Sequence, residues 1–306
     1  MCQLSGLTVL SVIARILLGA LFMLSSIAKL SSMEGFELYI FSFSFAPFDL
    51  CSLAARFVVI AEFILGAFLL LRIFIRPVNL ITAISLAGFS VFLLWRVISG
   101  DEESCHCMGD LVDMNPVQSL IKNIILAILL VLGWKSAPKV YKYPKLLPIS
   151  VITLVSIAVF MMSPPDFYFR NSSESNDLSA EAFRPVTDSL NLSEGRRIVC
   201  FYSATCEHCR HCASKMAGII RRHDIAVDSV SVIFMQTHEN QDSVVTEFYR
   251  NNGEGLELRY STLHPYTFLP LTNGAMPIVI LMDEGEPVRE YDYISIDEKE
   301  IASFMR

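Results

Sequence analysis

Phe201-Tyr202-Ser203-Ala204-Thr205-Cys206-Glu207-His208-Cys209-Arg210-His211-Cys212 is the stretch on which the reading of this chain turns. Ile198–Tyr202, rich in β-branched and aromatic residues, predicts a strand, and Cys209–Arg222 predicts a helix. Ser203-Ala204-Thr205 makes the turn between them. Cysteines separated by two residues at a strand-to-helix junction have the spacing of a redox dithiol. The first thiol falls where unpaired backbone N–H groups and the helix dipole favour negative charge. The second lies one turn further on, close enough to close a disulfide.

Outward from that motif the composition divides the chain. Of 306 residues, 53% are hydrophobic and only 18% charged, and the apolar excess lies before Pro164. After Asp166 the sequence is ordinarily charged, so a membrane part and a soluble part are expected. A net charge of −7 supplies no basic footprint and argues against nucleic acid as a partner. Eight cysteines are too few for a disulfide-built fold, and their clustering points to redox or metal chemistry.

Leu7–Leu30 is long enough to cross a bilayer of about 30 Å and too long for a signal peptide. Leu53–Phe74, Pro77–Ile98, Val117–Trp134 and Leu146–Ser163 read as four further spans. Ser31–Leu50 reads as an aromatic-rich loop or half-embedded helix suited to the membrane interface. Arg72 and Arg76 mark the junction of spans two and three, and Lys135, Lys139, Lys142 and Lys145 fall between spans four and five. The positive-inside rule makes both basic loops cytoplasmic. Gly100–Asn115 carries Asp101, Glu102, Glu103, Asp110 and Asp113 with no Lys or Arg, so it is expected outside. Five spans with a cytoplasmic N-terminus put the C-terminal domain outside as well. Cys105-His106-Cys107 and the Cys206/Cys209 pair then share an extracytoplasmic compartment, where disulfides persist.

The expected organisation is a four-helix membrane domain (1–135), a basic loop with a fifth transmembrane helix (136–165), a polar linker (166–193) and an α/β domain (194–306). Within the last, Ser229–Met235 predicts a second strand and Gln241–Asn251 a second helix. Ile278–Met282 and the Glu290 region predict a hairpin turned at Asp283-Glu284-Gly285-Glu286, and Asp297–Met305 a last helix.

Cys206 is the expected attacking thiolate and Cys209 the resolving thiol. Glu207 opposes thiolate formation on its neighbour, and a protonated His208 favours it. The rival reading is metal, because Cys206, His208, Cys209, His211 and Cys212 crowd seven residues. Ligands this dense cannot all reach one ion, and no separate Cys-x-x-Cys follows, so no metal set is assigned. A membrane-tethered Cys/His metal-binding module without redox catalysis stays open as the alternative. Cys212 reads as packing as readily as chemistry, and Cys200 and Cys51 read as structural. Arg15 and Lys29 in span one and Glu62 in span two are intramembrane charges, functional or structural, with Arg15 and Glu62 as candidates for a pair.

Phe201-Tyr202…Cys206-x-x-Cys209 at the head of a helix, with Ala275-Met276-Pro277-Ile278-Val279 before a strand, resembles the thioredoxin-like family over roughly residues 180–306. The resemblance implies a cis-proline at Pro277 and a substrate-holding backbone at Met276–Pro277. Two departures stand out: no Trp precedes the first cysteine, and the middle dipeptide is Glu-His. Over residues 7–135, Arg15…Gly19…Phe22…Ser26…Lys29-Leu30, Pro47 and Glu62…Gly66 resemble the DoxX-like proteins. Cys105-His106-Cys107-Met108-Gly109-Asp110 resembles the Cys-x-Cys-x-Gly segment of their MauE-type branch. That branch is associated with disulfide formation in exported proteins alongside a thioredoxin-like partner, here fused to the same chain. The resemblance therefore implies a membrane thiol–disulfide oxidoreductase of the bacterial inner membrane, in which Cys105 and Cys107 exchange electrons with Cys206 and Cys209. A Cys105–Cys107 disulfide would close a very small, strained ring, and strain favours an oxidant. Exported proteins with cysteines and the lipid bilayer are the expected partners. The soluble domain requires no cofactor. The wider DoxX family is linked to sulfur-compound oxidation with quinone, yet no quinone pocket is recognisable in the sequence.

Overall fold

A computed structural model describes residues 6–100, 109, 112, 114–134, 144, 146–170, 183, 187, 192, 194–237, 241–251, 256 and 258–306. The chain divides into two compact units, Met1–Tyr39 with Ser52–Pro164, and Ile40–Cys51 with Pro165–Arg306.

The first unit is helical. Its elements are drawn from α1 (Gly6–Ser31), α2 (Met33–Ser42), α3 (Phe48–Leu71), α4 (Ile75–Ile98), α5 (Pro116–Trp134) and α6 (Leu146–Met162). Val9–Ser31, Phe48–Leu71, Ile75–Ile98 and Pro116–Trp134 are long and apolar enough to cross a bilayer. The expected fifth span is an apolar helix of 17 residues. At 1.5 Å per residue it reaches about 26 Å, the short end of the spanning range. Ser31–Leu50, expected as loop or half-embedded helix, contains α2 and the start of α3.

α1 and α3 run antiparallel in close contact because each presents a glycine at the crossing. A Cβ on Gly19 would lie 2.9 Å from the Gly66 carbonyl oxygen, and one on Gly66 2.7 Å from that of Gly19. Ser26 Oγ adds a 2.8 Å hydrogen bond to the Val59 carbonyl. Asn123 joins α5 to α4 by donating to the Leu86 carbonyl (3.1 Å) and to Ser90 Oγ (2.9 Å). α5 begins where Asn115 and Gln118 cap each other's backbone N–H at 2.8 and 3.1 Å, with Pro116 as its first residue. Leu18, Phe22, Leu65, Phe68, Leu69 and Leu126 belong to its apolar core.

The second unit is a mixed sheet with helices. Its strands are β1 (Arg196–Tyr202), β2 (Val230–Met235), β3 (Arg259–Leu263), β4 (Ile278–Asp283) and β5 (Glu286–Asp292). They lie in the order β3-β2-β1-β4-β5. β1, β2 and β3 are parallel, whereas β4 and β5 run antiparallel as a hairpin. The helices are α7 (Glu207–Arg222), α8 (Gln241–Asn251), α9 (Pro265–Leu271) and α10 (Glu298–Phe304). α7 starts two residues earlier than the sequence suggests. Asp297 caps α10 by accepting from Lys299 and Glu300 N–H.

β3 and α9 are additions to the sequence reading. β3 is an edge strand, largely exposed, so it lacks the apolar alternation that betrays a buried one. α9 carries Pro265 at its start and Pro270 inside, and the prolines conceal it. One sheet face buries Val199, Phe201, Ile233, Ile278, Ile280 and Met282. Phe183 and Leu192, from the expected polar linker, are buried in that same core. The opposite face carries Tyr202, Phe234 and Phe248 in mutual edge-to-face and tilted ring contacts.

Candidate functional site

β1 runs through the middle of the sheet and ends at Tyr202, and Ser203-Ala204-Thr205 turns the chain into α7. Cys206 is the N-cap of α7 with extended backbone, and its Sγ accepts the Cys209 N–H at 3.4 Å. A sulfur in that position receives a helix N–H and the positive end of the helix dipole, both of which favour negative charge. Cys206 is partly exposed, Cys209 is fully buried, and both are free thiols. The Ser203 N–H donates to Cys209 Sγ at 3.4 Å, which holds the second sulfur against the turn. Burial, and then the neighbouring Cys206 sulfur, push the Cys209 thiol well above its ordinary range. The arrangement therefore separates an accessible sulfur suited to nucleophilic attack from a buried one that keeps its proton.

Behind them lies a second group. Cys200 and Tyr202 are two apart on β1 and share a face, and the Tyr202 hydroxyl donates to Cys212 Sγ at 3.6 Å. Desolvation pushes the Cys200 thiol up to about 12 and raises Cys212 and Tyr202 strongly. Cys212 thus has a specific hydroxyl partner, a feature its helical spacing from Cys209 did not reveal.

The Met276–Pro277 bond is cis, the isomer the thioredoxin-like resemblance implies. Phe201 lies opposite Ile278 in the antiparallel β1–β4 ladder. Pro277 therefore falls at the sheet end where β1 leads into the dithiol turn. Met276 packs partly buried against the core. His208 and His211 lie 6.4 Å, centroid to centroid, from the Tyr293 ring. Among the described residues no group of three or more His, Cys, Asp or Glu side chains is placed to hold a metal ion.

In the first unit, Cys105 and Cys107 lie outside the described residues. Gly109, two residues beyond, is described: it is buried with φ +56°, and a Cβ there would collide with the Ala28 carbonyl oxygen and Ser32 Oγ. Gly109 itself thereby lies against the C-terminal turn of α1. The charges nearby are not paired as expected. Glu62 pairs with Lys29, not Arg15: Lys29 Nζ lies 2.7 and 3.0 Å from the two carboxylate oxygens and 2.8 Å from Ser25 Oγ. The antiparallel register explains the correction. Ser26 opposite Val59 puts Glu62 level with Met23; the Lys29 side chain tilts back toward that level, as its bond to Ser25 shows, whereas Arg15 lies about two turns to the other side and tilts away from it.

A buried pair absent from the sequence reading joins α2 to α3. Arg56 donates to Glu37, to the Ser52 carbonyl and hydroxyl, and to the Ser163 carbonyl and hydroxyl. Its signal was available, since Arg56 is a lone cation early in an apolar helix.

Residues 7–136 match the family described as "Methylamine utilisation protein MauE". "Protein TlpB" of Flavobacterium psychrophilum is 24% identical over 341 residues, covering 92% of this chain and 90% of the relative. The four apolar helices and the family match together indicate a membrane protein whose N-terminal part is similar to the MauE family.

Proposed function

We propose that the protein is a membrane-bound thiol–disulfide oxidoreductase acting on the cysteines of exported proteins. The observation that carries this reading is the asymmetry of the dithiol: Cys206 partly exposed at a helix N-cap, Cys209 buried with its proton held. A strand order β3-β2-β1-β4-β5 with a closing antiparallel hairpin supports a thioredoxin-like reading of residues 194–306. The cis Met276–Pro277 bond at the dithiol end supports that reading too, with the adjoining backbone as the holder of an extended substrate strand.

Charge placement in the loops argues for a cytoplasmic N-terminus in a bacterial inner membrane, with the dithiol domain on the periplasmic side. In this reading residues 1–135 are the membrane domain, 136–165 the basic loop and last helix, and 166–193 a connection from which Phe183 and Leu192 enter the sheet core.

In the oxidising direction a substrate thiolate attacks Cys206 of the Cys206–Cys209 disulfide, and Cys209 leaves as a thiolate that takes up a proton. A second substrate thiolate then attacks the substrate sulfur of the mixed disulfide and releases Cys206. The substrate gains a disulfide, and two electrons and two protons rest on Cys206 and Cys209. Attack of the Cys206 thiolate on a Cys105–Cys107 disulfide, resolved by Cys209, moves both electrons to the loop. Each step runs in reverse when the partner potentials are reversed.

Replacing Cys209→Ser in intact cells is expected to trap Cys206 in mixed disulfides with exported proteins, released by reductant. Cys105→Ser is expected to leave the Cys206/Cys209 pair reduced. Loss of bound metal with no trapped partner would instead favour the metal-binding module.

A further inference from the structure

Arg15 contrasts with Arg56. Every guanidinium nitrogen of Arg56 donates to an oxygen. Arg15 is 4% exposed, and its Nε and Nη1 have no hydrogen-bond partner among the described residues. A buried, unpaired cation costs several kcal/mol in an apolar bundle, and such residues pair or line a polar cavity.

Its surroundings make the need for an anion greater. Ser26 opposite Val59 and Gly19 opposite Gly66 fix the α1–α3 register. That register carries Arg15 to the level of Leu70–Arg72, where α3 ends. The Arg72 charge acts on Arg15 and repels it. A Cβ added to Gly133, next to the last residue of α5, would come into van der Waals contact with the Arg15 backbone, so the end of α5 passes close to Arg15. Arg15 therefore sits at one end of the bundle, level with the C-terminal ends of α3 and α5. That level is where headgroup meets hydrocarbon if the helices span. Ile13, Ile16, Leu17, Leu71 and Phe74 are exposed around it and offer apolar surface to acyl chains.

We propose that Arg15 and Arg72 bind a phosphate-bearing anion, with a phospholipid headgroup as its source. Two guanidinium forks match the oxygens of one phosphate, and a single anionic group relieves both the missing acceptor and the Arg15–Arg72 repulsion. Water supplies hydrogen bonds to the forks but leaves two like charges in the bundle. Basic pockets between membrane helices are suited to lipid headgroups for the same reason. The site is independent of the dithiol chemistry.

The test uses the full chain in mild detergent, stripped of lipid, with thermal unfolding followed on addition of phosphatidylglycerol, monoolein or inorganic phosphate. Phosphatidylglycerol is expected to raise the midpoint of the wild type, and monoolein, which lacks phosphate, is not. Arg15→Met is expected to unfold at a higher temperature than the wild type when both are stripped, because the unpaired charge is gone, and to lose the phosphatidylglycerol response. Arg72→Gln is expected to keep the fold and weaken phosphatidylglycerol binding by about tenfold, the loss of one charge-assisted contact. A full response to inorganic phosphate would support the site and assign it to a free anion. An undiminished lipid response in Arg15→Met, or a stripped Arg15→Met no more stable than the stripped wild type, would overturn the proposal.

Discussion

Glu62→Gln tests the corrected charge pairing most directly. Lys29 Nζ sits between both Glu62 carboxylate oxygens and Ser25 Oγ, and its side chain is 5% exposed against 26% for Glu62. Removing the carboxylate charge leaves a desolvated ammonium with one hydroxyl and an amide oxygen. Breaking a buried pair in this way costs about 3–5 kcal/mol, and the partial exposure of Glu62 places the variant near about 3. Lys29→Met leaves the less buried partner alone, which can reach water or take up a proton, so about 1–2 kcal/mol is expected. The double variant Lys29→Met, Glu62→Leu removes both charges and is expected within about 1 kcal/mol of wild type. The assay is reversible unfolding of the full chain in mixed micelles, with the helical signal as readout. Equal losses in the two single variants with no recovery in the double would refute the reasoning. Rescue of Glu62→Gln by Arg15→Met, but not by Lys29→Met, would restore the Arg15–Glu62 pairing that the structure replaces.

Other expectations concern the thiols and Gly109. In Cys206→Ser, alkylation of Cys209 at neutral pH is expected to be at least about tenfold slower than that of Cys206 in Cys209→Ser, since each unit of raised pKa removes a factor of ten in thiolate. Comparable rates would remove the asymmetry. Cys200, pushed up to about 12 in the fold, gives stability that is complete below the unfolded value of about 8.5 and falls as pH rises toward 12. Across that window the thiol contributes a loss of about 1.4 kcal/mol per pH unit, so Cys200→Ala is expected to show a shallower alkaline decline by pulse proteolysis between pH values of about 8.5 and 10.5. An unchanged slope would contradict the burial argument. Gly109→Ala meets the Ala28 carbonyl and a positive φ that costs an alanine roughly 1–2 kcal/mol. The variant is expected to unfold more easily and to slow reoxidation of the Cys206/Cys209 pair; a silent substitution would show that Gly109 is not held against α1.

The long apolar runs were legible because each is uninterrupted over a length close to the bilayer's thickness, and their observed ends lie within a few residues of expectation. The dithiol was legible because strand, turn and helix are contiguous in sequence. What escaped depended on contacts distant along the chain. Glu62 is as plausible a partner for Arg15 as for Lys29 until the α1–α3 register is known, and that register is set by Gly19, Gly66 and the Ser26–Val59 bond. β3 escaped because an edge strand need not alternate, and α9 because its prolines imitate a loop. Phe183 and Leu192 escaped because isolated apolar residues in a polar stretch carry no period, although both enter the sheet core. The Tyr202–Cys212 bond was equally invisible, since no spacing rule relates a strand hydroxyl to a helix thiol.

The position of the attacking sulfur depends on how α7 is fixed from behind. Cys209, Cys212, Met216, Ile219 and Ile220 give the helix a buried apolar face, and Lys215 interrupts that face while itself buried. An apolar face alone tolerates sliding, because one methyl contact replaces another at little cost. The Lys215 ammonium does not. It pairs with Asp166 at 3.1 Å, donates to the Tyr293 carbonyl at 3.2 Å, and lies 4.1 Å from the centre of the Phe48 ring and 5.0 Å from that of Tyr293. Shifting α7 by one residue would move the charge off all of these at once, at the cost of an unpaired buried cation. Tyr293 in turn lies beside His208 and His211, which flank Cys209 on the outer side of the helix. Lys215→Met is therefore expected to preserve the sheet but loosen the register of α7, and to show it first as slower, less selective trapping at Cys206 in the Cys209→Ser background. Unaltered trapping kinetics would mean that the Ser203 turn alone positions the sulfur.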